Sequence, residues 1–415
     1  MTFGRPDVLV VGGGPAGLAV AIRARQAGLT ATVLDRATPP IDKPCGEGIM
    51  PDGLARLVEL GVAVPPEASA PFRGIRYLDG EVAAEGDFPG RSSSGAVGAA
   101  AGGIQGLGVR RTVLHRALVE RAEAAGAELR WGERVTGLEP AAGGRGGRGL
   151  LAGEPPGVVT GGGVLRGRFL VGADGLRSRV RGWAGLEGRA PAPGAPHARF
   201  GVRRHYRLAP WSDRVEVHWA DRCEAYVTPA GPELVGVAML WSGGPASFDE
   251  LLGRVPALAR RLAGAPPASR DLGCGPLAQR PRRVARGRIA LAGDASGYLD
   301  AITGEGLSLA FHQAFALVEA IRAIDAGAAP HRDDFAPYER AHRRLRRLPE
   351  ALIRLLLLAE RRPWLRRRAV RALAADRALF ERLLGLHAGT VPVSVLGLSG
   401  TLRLGGRLAW RLASA

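Results

Sequence analysis

The period of apolar residues changes several times along the chain, and each change marks an element. Residues 7–11 (DVLVV) are an unbroken apolar run ending in GGGPAG, which predicts a buried strand and a tight turn. LAVAIRARQAG then takes helical spacing as far as Gly28, and TATVLDR predicts a second strand, completing a β-α-β unit. Segment 53–61 has helical spacing and 72–88 contains strand-like fragments. The small and glycine-rich stretch 89–108 (PGRSSSGAVGAAAGGIQGLG) predicts a mobile loop. From Arg110 to Gly126, apolar Val113, Leu114, Ala117, Leu118 and Ala122 share one helix face, with acids and arginines opposite. A strand follows near 128–132, GGRGGRG at 143–149 predicts an exposed hairpin connection, and RFLVGADG at 168–175 a buried strand running into a turn.

Residues 197–241 change character. ARFGVRRHYRL, RVEVHWA, CEAYVTPAG and ELVGVAML are four strand-like runs with no helix between them, which predicts an antiparallel sheet. A helix is expected near 247–263, a strand and turn at GRIALAGDASG (287–297), and a helix over Gly306–Ala326. Arg-rich amphipathic helices follow to about Leu386, then a loose apolar end.

Length changes the picture first: 415 residues predict two joined domains and a helical tail. The formal charge of +18 invites a nucleic-acid reading, but every lysine or arginine position except Lys43 is Arg and Asn is absent, a skew typical of G+C-rich coding. The excess is also local, with 18 Arg against 7 acids in residues 331–415. With no nucleic-acid motif and little aromatic interleaving, a nucleic-acid partner is not expected. Cys45, Cys223 and Cys274 are too few and too dispersed for a disulfide framework or a metal site, which fits a reducing cytoplasm. VLVVGGGPAGLAVA reads as strand and turn rather than a signal sequence, since Asp7 precedes it and glycines interrupt it. No apolar run reaches the ~18 residues that span a bilayer.

The strongest chemistry lies in Gly12-x-Gly14-x-x-Gly17, between strand and helix, with Asp35 ending the next strand 18 residues beyond Gly17. Missing side chains let a pyrophosphate approach the backbone at the helix N-terminus, where unpaired N–H groups and the helix dipole favour an anion. The acid can accept hydrogen bonds from an adenosine ribose. This context predicts a dinucleotide.

GADGLRSRVR (172–181) and GDASGYLDAITGEGLSLAF (293–311) resemble, in order and spacing, the second and third signatures of the glutathione-reductase-type FAD-binding fold. They are similar in particular to those of the flavoprotein monooxygenase (aromatic hydroxylase-like) and geranylgeranyl reductase superfamily, as is VRRTVLHRAL (109–118). The resemblance implies an α/β fold: a Rossmann-like FAD-binding domain, an antiparallel β-sheet substrate domain and a C-terminal helical segment. The expected division is 1–75, 105–185 and 275–330 for FAD, 76–104 and 186–274 for the substrate sheet, and 331–415 for the basic helices.

The resemblance also implies that Asp294 bonds the ribityl chain, that Arg111 approaches the FAD, and that Gly304–Gly306 open a helix aimed at the pyrimidine edge of the flavin. A helix N-terminus there stabilises charge on reduced flavin. The implied cofactor-binding set is Gly12, Gly14, Pro15, Ala16, Gly17, Asp35, Arg36, Cys45, Gly46, Arg111, Asp174, Gly293, Asp294, Gly304, Glu305 and Gly306. Asp174 has a structural turn role as its alternative.

DKPCGEG resembles the Pro-Cys-Gly segment that borders the flavin ring in geranylgeranyl reductases, so its glycines are read as letting backbone approach the ring. Cys45 and Tyr226 are the catalytic candidates, against a packed, unreactive thiol for Cys45; Lys43 is read as a surface or phosphate-facing charge. Glu224, Tyr226 and Thr228 fall on one face of a strand, with His218 on its neighbour, as substrate-facing candidates. His115 and His312 are read as structural, and no metal is expected. Tyr226-Val227-Thr228-Pro229 departs from the reductases' Tyr-x-Trp-x-Phe-Pro run; Ala301 and Ser308 replace the Pro and Asn usual in hydroxylases.

The implied activity is NAD(P)H-dependent monooxygenation of a lipophilic aromatic, polyketide or isoprenoid substrate by O2 through a flavin C4a-hydroperoxide. Reduction of a C=C bond in an isoprenoid or lipid is the alternative, and a non-catalytic, FAD-containing docking protein the distant one. LIRLLLLA flanked by arginines predicts helices packed on the FAD domain with Arg in water, or a peripheral membrane contact.

Overall fold

The computed structural model describes residues 5–90, 104–139, 155–188, 198–325 and 335–391, with Gly406 and Trp410. In chain order the first elements are β1 (Val8–Val11), α1 (Pro15–Gln26), β2 (Ala31–Asp35), β3 (Gly48–Ile49), α2 (Pro51–Glu59), β4 (Ser69–Phe72), β5 (Gly74–Asp79) and β6 (Val82–Asp87). Next come β7 (Gly106–Val109), α3 (Arg111–Ala124), β8 (Glu128–Trp131), β9 (Gly137–Glu139), β10 (Gly157–Thr160), β11 (Gly163–Arg166), β12 (Phe169–Gly172) and α4 (Arg179–Trp183). The second half holds β13 (Arg199–Arg207), β14 (Val215–Ala220), β15 (Cys223–Gly231), β16 (Leu234–Ser242), α5 (Phe248–Gly253), α6 (Pro256–Leu262), β17 (Leu272–Cys274), β18 (Ala285–Arg286) and β19 (Ile289–Leu291). Four helices close the chain: α7 (Gly306–Asp325), α8 (Ala336–Glu360), α9 (Pro363–Ala375) and α10 (Arg377–His387).

The apolar run of β1 is buried at every position because the strand lies inside a six-stranded sheet of order β18-β19-β12-β1-β2-β8. Strands β19, β12, β1, β2 and β8 are mutually parallel and β18 is antiparallel, so helices must cover the faces. Helices α1, α3 and α7 do so through Leu18, Ile22, Leu118, Phe311 and Leu317, all in one core. α7 is the one helix among the described residues long and apolar enough to cross a membrane, contrary to expectation; yet 56% of its apolar window is buried inside the protein.

The second layer is a seven-stranded sheet of order β17-β13-β16-β15-β14-β5-β6. The four expected strands form its centre and are antiparallel, while β5 joins β14 in parallel. One face holds Val202, Val237, Met239 and Trp241 and is covered by α5 and α6. The helix expected over 247–263 is therefore two: Pro256 has no N–H to continue α5 and instead opens α6.

Other departures have equally local causes. β7 begins at Gly106, inside the expected loop, and pairs with both β3 and β4. Strands β9–β11 form a separate antiparallel sheet too short to announce itself by alternation. Residues 91–103 of the expected loop and the whole of 143–149 lie outside the described residues. The tail helices do not pack on the six-stranded-sheet core alone. α8 lies on α7, but α9 and α10 pack on β6, and Tyr77 of β5 stacks on Phe380 at 5.3 Å.

Candidate functional site

The glycine turn after β1 is shaped by what a side chain would strike. A Cβ at Gly17 would lie 1.9 Å from the Gly12 carbonyl oxygen, and one at Gly12, where φ is +113°, would lie 2.3 Å from the Ala173 carbonyl oxygen. Gly14 is different, since a Cβ there would meet only Arg111 Nη2, at 3.8 Å, leaving backbone facing open space. Asp35 is fixed toward this turn: its Oδ2 accepts from Gly13 N–H at 2.7 Å and its Oδ1 from Ala37 N–H at 2.9 Å. His115 completes the support, its Nε2 donating to the Gly13 carbonyl at 2.8 Å while Nδ1 accepts from Ile41 N–H. Burial, the largest influence, lowers its pKa and keeps the ring neutral, which fits the structural role expected for it.

The segment 42–48 crosses the front of this turn. Gly46 has nothing within 4 Å of where a Cβ would stand, so its backbone faces open space. Cys45 Sγ accepts from Glu47 N–H at 3.3 Å, and burial raises the thiol pKa, so Cys45 is held as a thiol rather than a nucleophilic thiolate. Lys43 is exposed, with Nζ near Gly175, and shares its surroundings with Arg111, Asp35 and Asp294.

Glu47, which the sequence reading passed over, ties this segment to the rest. It is buried with φ +62°, accepts from Arg111 N–H at 2.8 Å, and meets His205 Nε2 at 2.5 Å. A buried acid held in left-handed backbone is a strained arrangement kept by its partners. Arg203, beside His205 on β13, reaches back to Asp42 Oδ1 at 2.6 Å. The available signal was the alternation of β13, which sets Arg199, Arg203 and His205 on one face.

On the far side, the Gly293–Ser296 turn is held by Gln313, whose Oε1 accepts from Gly293 N–H at 2.7 Å and from Ser296 Oγ at 3.3 Å. Burial raises the Asp294 pKa, opposed by Arg111, Lys43 and Arg346. Gly304 leaves open space where a side chain would be, and a Cβ at Gly306, the first residue of α7, would come no closer than 3.9 Å to Tyr298. Glu305 points away to His387 of α10 at 3.5 Å, and its Oε2 has no hydrogen-bond partner among the described residues.

Besides Glu305, three expected residues are placed differently from the set around them. Asp174 spends its carboxylate on α4, accepting from Ser178 Oγ at 2.5 Å, Arg179 N–H at 2.7 Å and Val180 N–H at 3.1 Å; this is the structural alternative. Arg36 is exposed at the edge. His218 stands opposite Ala225, so it lies on the other face of the sheet from Glu224, Tyr226 and Thr228, and bonds Glu216 at 3.0 Å. His312 is structural, pairing with Asp52 at 3.0 Å and accepting from Arg56. Tyr226 donates to the Ile302 carbonyl at 2.6 Å, and Thr228 is buried near Gly48.

These residues fit an FAD. The glycine turn gives a backbone cradle, Asp35 a fixed acceptor, and Gly46 and Gly304 open backbone. Arg111 Nε is buried without a hydrogen-bond partner among the described residues, a donor awaiting a ligand.

Comparison with known proteins agrees. The model of the family described as FAD binding domain matches residues 5–231. Menaquinone reductase of Mycobacterium tuberculosis is 47% identical over 88 residues, 21% of this chain and 21% of that protein. Rifampicin monooxygenase of Streptomyces venezuelae is 30% identical over 185 residues, 43% of this chain and 34% of that protein. The matches thus span about a fifth to a third of these relatives' lengths. A solved flavoprotein/dehydrogenase from Cytophaga hutchinsonii has the same fold, with TM-score 0.73 and 18% identity, covering 92% of this chain and 93% of that one.

Proposed function

Because the chain belongs to the FAD binding domain family, we propose that it is an FAD-dependent oxidoreductase that takes electrons from NAD(P)H and uses O2 to hydroxylate or epoxidise a lipophilic aromatic, polyketide or isoprenoid substrate. The observation that carries this reading is the convergence of the glycine turn at Gly14, Cys45 and Asp294 around Arg111. Likeness to a monooxygenase over 43% of the chain supports the reaction class.

Gly12–Gly17 and the N-terminus of α1 hold the pyrophosphate, and Asp35 accepts from the adenosine ribose. Arg111 and Asp294 fix the chain between. The bound cofactor supplies two-electron redox chemistry and reaction with O2. The N-terminus of α7 offers unpaired N–H groups where negative charge would gather, and the buried face bearing Tyr226 and Thr228 excludes water. Few acid–base residues are needed, because positioning and dryness are the protein's contribution. In this reading 1–75, 105–185 and 275–330 bind FAD, 76–104 and 186–274 bind substrate, and 331–415 form the C-terminal basic helical region, of which α9 and α10 pack on β6.

The 47% identity to menaquinone reductase supports a second reading, reduction of a C=C bond in an isoprenoid or lipid, with protonated Cys45 or Tyr226 as proton donor. NAD(P)H oxidation by the FAD-loaded protein, with lipophilic candidates and with or without O2, separates the two. Substrate-dependent O2 uptake supports oxygenation, anaerobic product formation supports reduction, and a protein that takes up FAD but does neither favours a binding role. A preparation that takes up no FAD overturns both.

A cytoplasmic location against a membrane is part of the same proposal. At the corner of α8 and α9, Leu355, Leu358 and Trp364 are 50%, 39% and 60% exposed, beside exposed Arg354, Arg361, Arg362 and Arg367. An apolar ridge ringed by arginine suits an anionic lipid surface.

A further inference from the structure

Three buried carboxylates converge on one guanidinium where the seven-stranded sheet, the turn before α7 and the end of α8 meet. Arg199 of β13 pairs with Glu224 of β15, donates from Nε to Asp300 Oδ2 at 2.8 Å, and lies 3.5 Å from Glu360 Oε1 at the end of α8. No side chain of the four is more than 4% exposed. Glu360 also accepts from Ser242 Oγ at 3.2 Å.

One positive charge cannot balance three negative charges away from water, so such a cluster retains a proton. Burial pushes the Glu224 carboxyl up to about 7; Arg199 opposes this, and Asp300 and Glu360 add to it. Among the described residues these three act on Glu224, and Tyr226 and Cys223 of its own strand interact with it. A buried ionic cluster is seldom more stabilising than well-packed apolar residues, so stability alone does not account for it.

What the cluster does is visible at Ile302. Asp300 Oδ1 accepts from Ile302 N–H at 3.1 Å, and Tyr226 OH donates to the Ile302 carbonyl at 2.6 Å. The carbonyl of a residue just ahead of Gly304 is therefore held from the sheet by Tyr226, its N–H is held by Asp300 of the same turn, which Arg199 fixes to the sheet, and Glu360 brings α8 into the same contact. We propose that Arg199, Glu224, Asp300 and Glu360 form a positioning device that fixes the Leu299–Gly304 turn, and with it the N-terminus of α7, according to how α8 docks. Only the identity of the ring that α7 faces rests on the FAD reading; the hold on Ile302 belongs to the chain itself.

The test compares wild type, Asp300→Asn and Glu360→Gln. Amide exchange at Ile302–Gly304 is measured with and without FAD, and the midpoint potential of bound FAD is measured by dye equilibration. Asn at 300 turns its NH2 donor toward either Arg199 Nε or Ile302 N–H, where the carboxylate accepted from both, so exchange at Ile302 should rise at least tenfold. The relative affinity for reduced and oxidised FAD should change about tenfold, roughly 30 mV for a two-electron couple. In wild type, exchange at Ile302 corrected for base catalysis should show a transition near pH 7; Glu360→Gln, by removing a like charge, should move it down by about one unit. Unchanged exchange and potential in both variants would overturn the proposal. If wild type takes up no FAD, the cofactor reading falls, and exchange in the FAD-free protein still decides the hold on Ile302. Should Asp300→Asn or Glu360→Gln fail to fold by circular dichroism, Tyr226→Phe, which removes only the bond to the carbonyl, is read by the same exchange measurement.

Discussion

At the scale of single residues, chemically similar groups are separated by what they touch. Asp35 and Asp174 both sit beside glycine turns, but Asp35 accepts from Gly13 N–H within the turn, whereas Asp174 accepts from the first two N–H groups of α4, ahead of its N-cap Ser178. Asp35→Ala should therefore weaken FAD binding at least tenfold in a fluorescence titration, the scale of a lost hydrogen bond to a charged group. Asp174→Ala should instead lower stability by about 1 kcal/mol, as loss of a helix cap does, with FAD affinity nearly kept. Glu224 gives a prediction with a definite sign. Its carboxyl is pushed up to about 7 when folded, so between the usual glutamate value and 7 the folded state holds the proton that the unfolded state releases. Stability from this group is full at low pH and lost as pH rises through 7, by on the order of 3 kcal/mol. Urea unfolding of Glu224→Gln should lack this fall between about pH 5 and 8.

At the scale of elements, backbone contact decides most. Gly17 brings α1 onto the carbonyl of Gly12, and the methyl of Gly17→Ala would stand 1.9 Å from that oxygen. The turn must open, and the variant should lose about 3 kcal/mol or more and its FAD together, seen as a lower melting temperature and colourless protein. The β-α-β unit was legible in advance because its signals are local: an apolar run, a glycine turn, helical spacing and a closing acid lie within Val8–Asp35. The break at Pro256 was equally local but was passed over, because amphipathic spacing continues across it. Strands β9–β11 are too short for alternation to be read. The parallel pairing of β5 with β14 has no sequence signal, since pairing direction is set by where the chain has already been placed.

At the scale of the whole molecule, α9 and α10 pack on β6 of the seven-stranded sheet, and α8 and α9 carry exposed arginines at their corner. Replacing Leu355, Leu358 and Trp364 together by Ser should reduce sedimentation with phosphatidylglycerol-containing vesicles by tenfold or more, with little effect on binding to pure phosphatidylcholine. Raising salt should weaken the wild type in the same assay. Equal binding of variant and wild type to both vesicles would remove the membrane reading.

The sequence by itself determined the glycine turn, the sequence of elements around it and the glycines that leave backbone open at Gly46 and Gly304, since each depends on residues within one or two turns of one another. Only the tertiary structure decided which charges share a cavity. Arg199 meets Asp300 across 101 positions and Glu47 meets His205 across 158, and pairings over such distances depend on how two sheets are set together. An isolated strand pattern records which face a side chain takes, but the partner waiting on that face is fixed by packing.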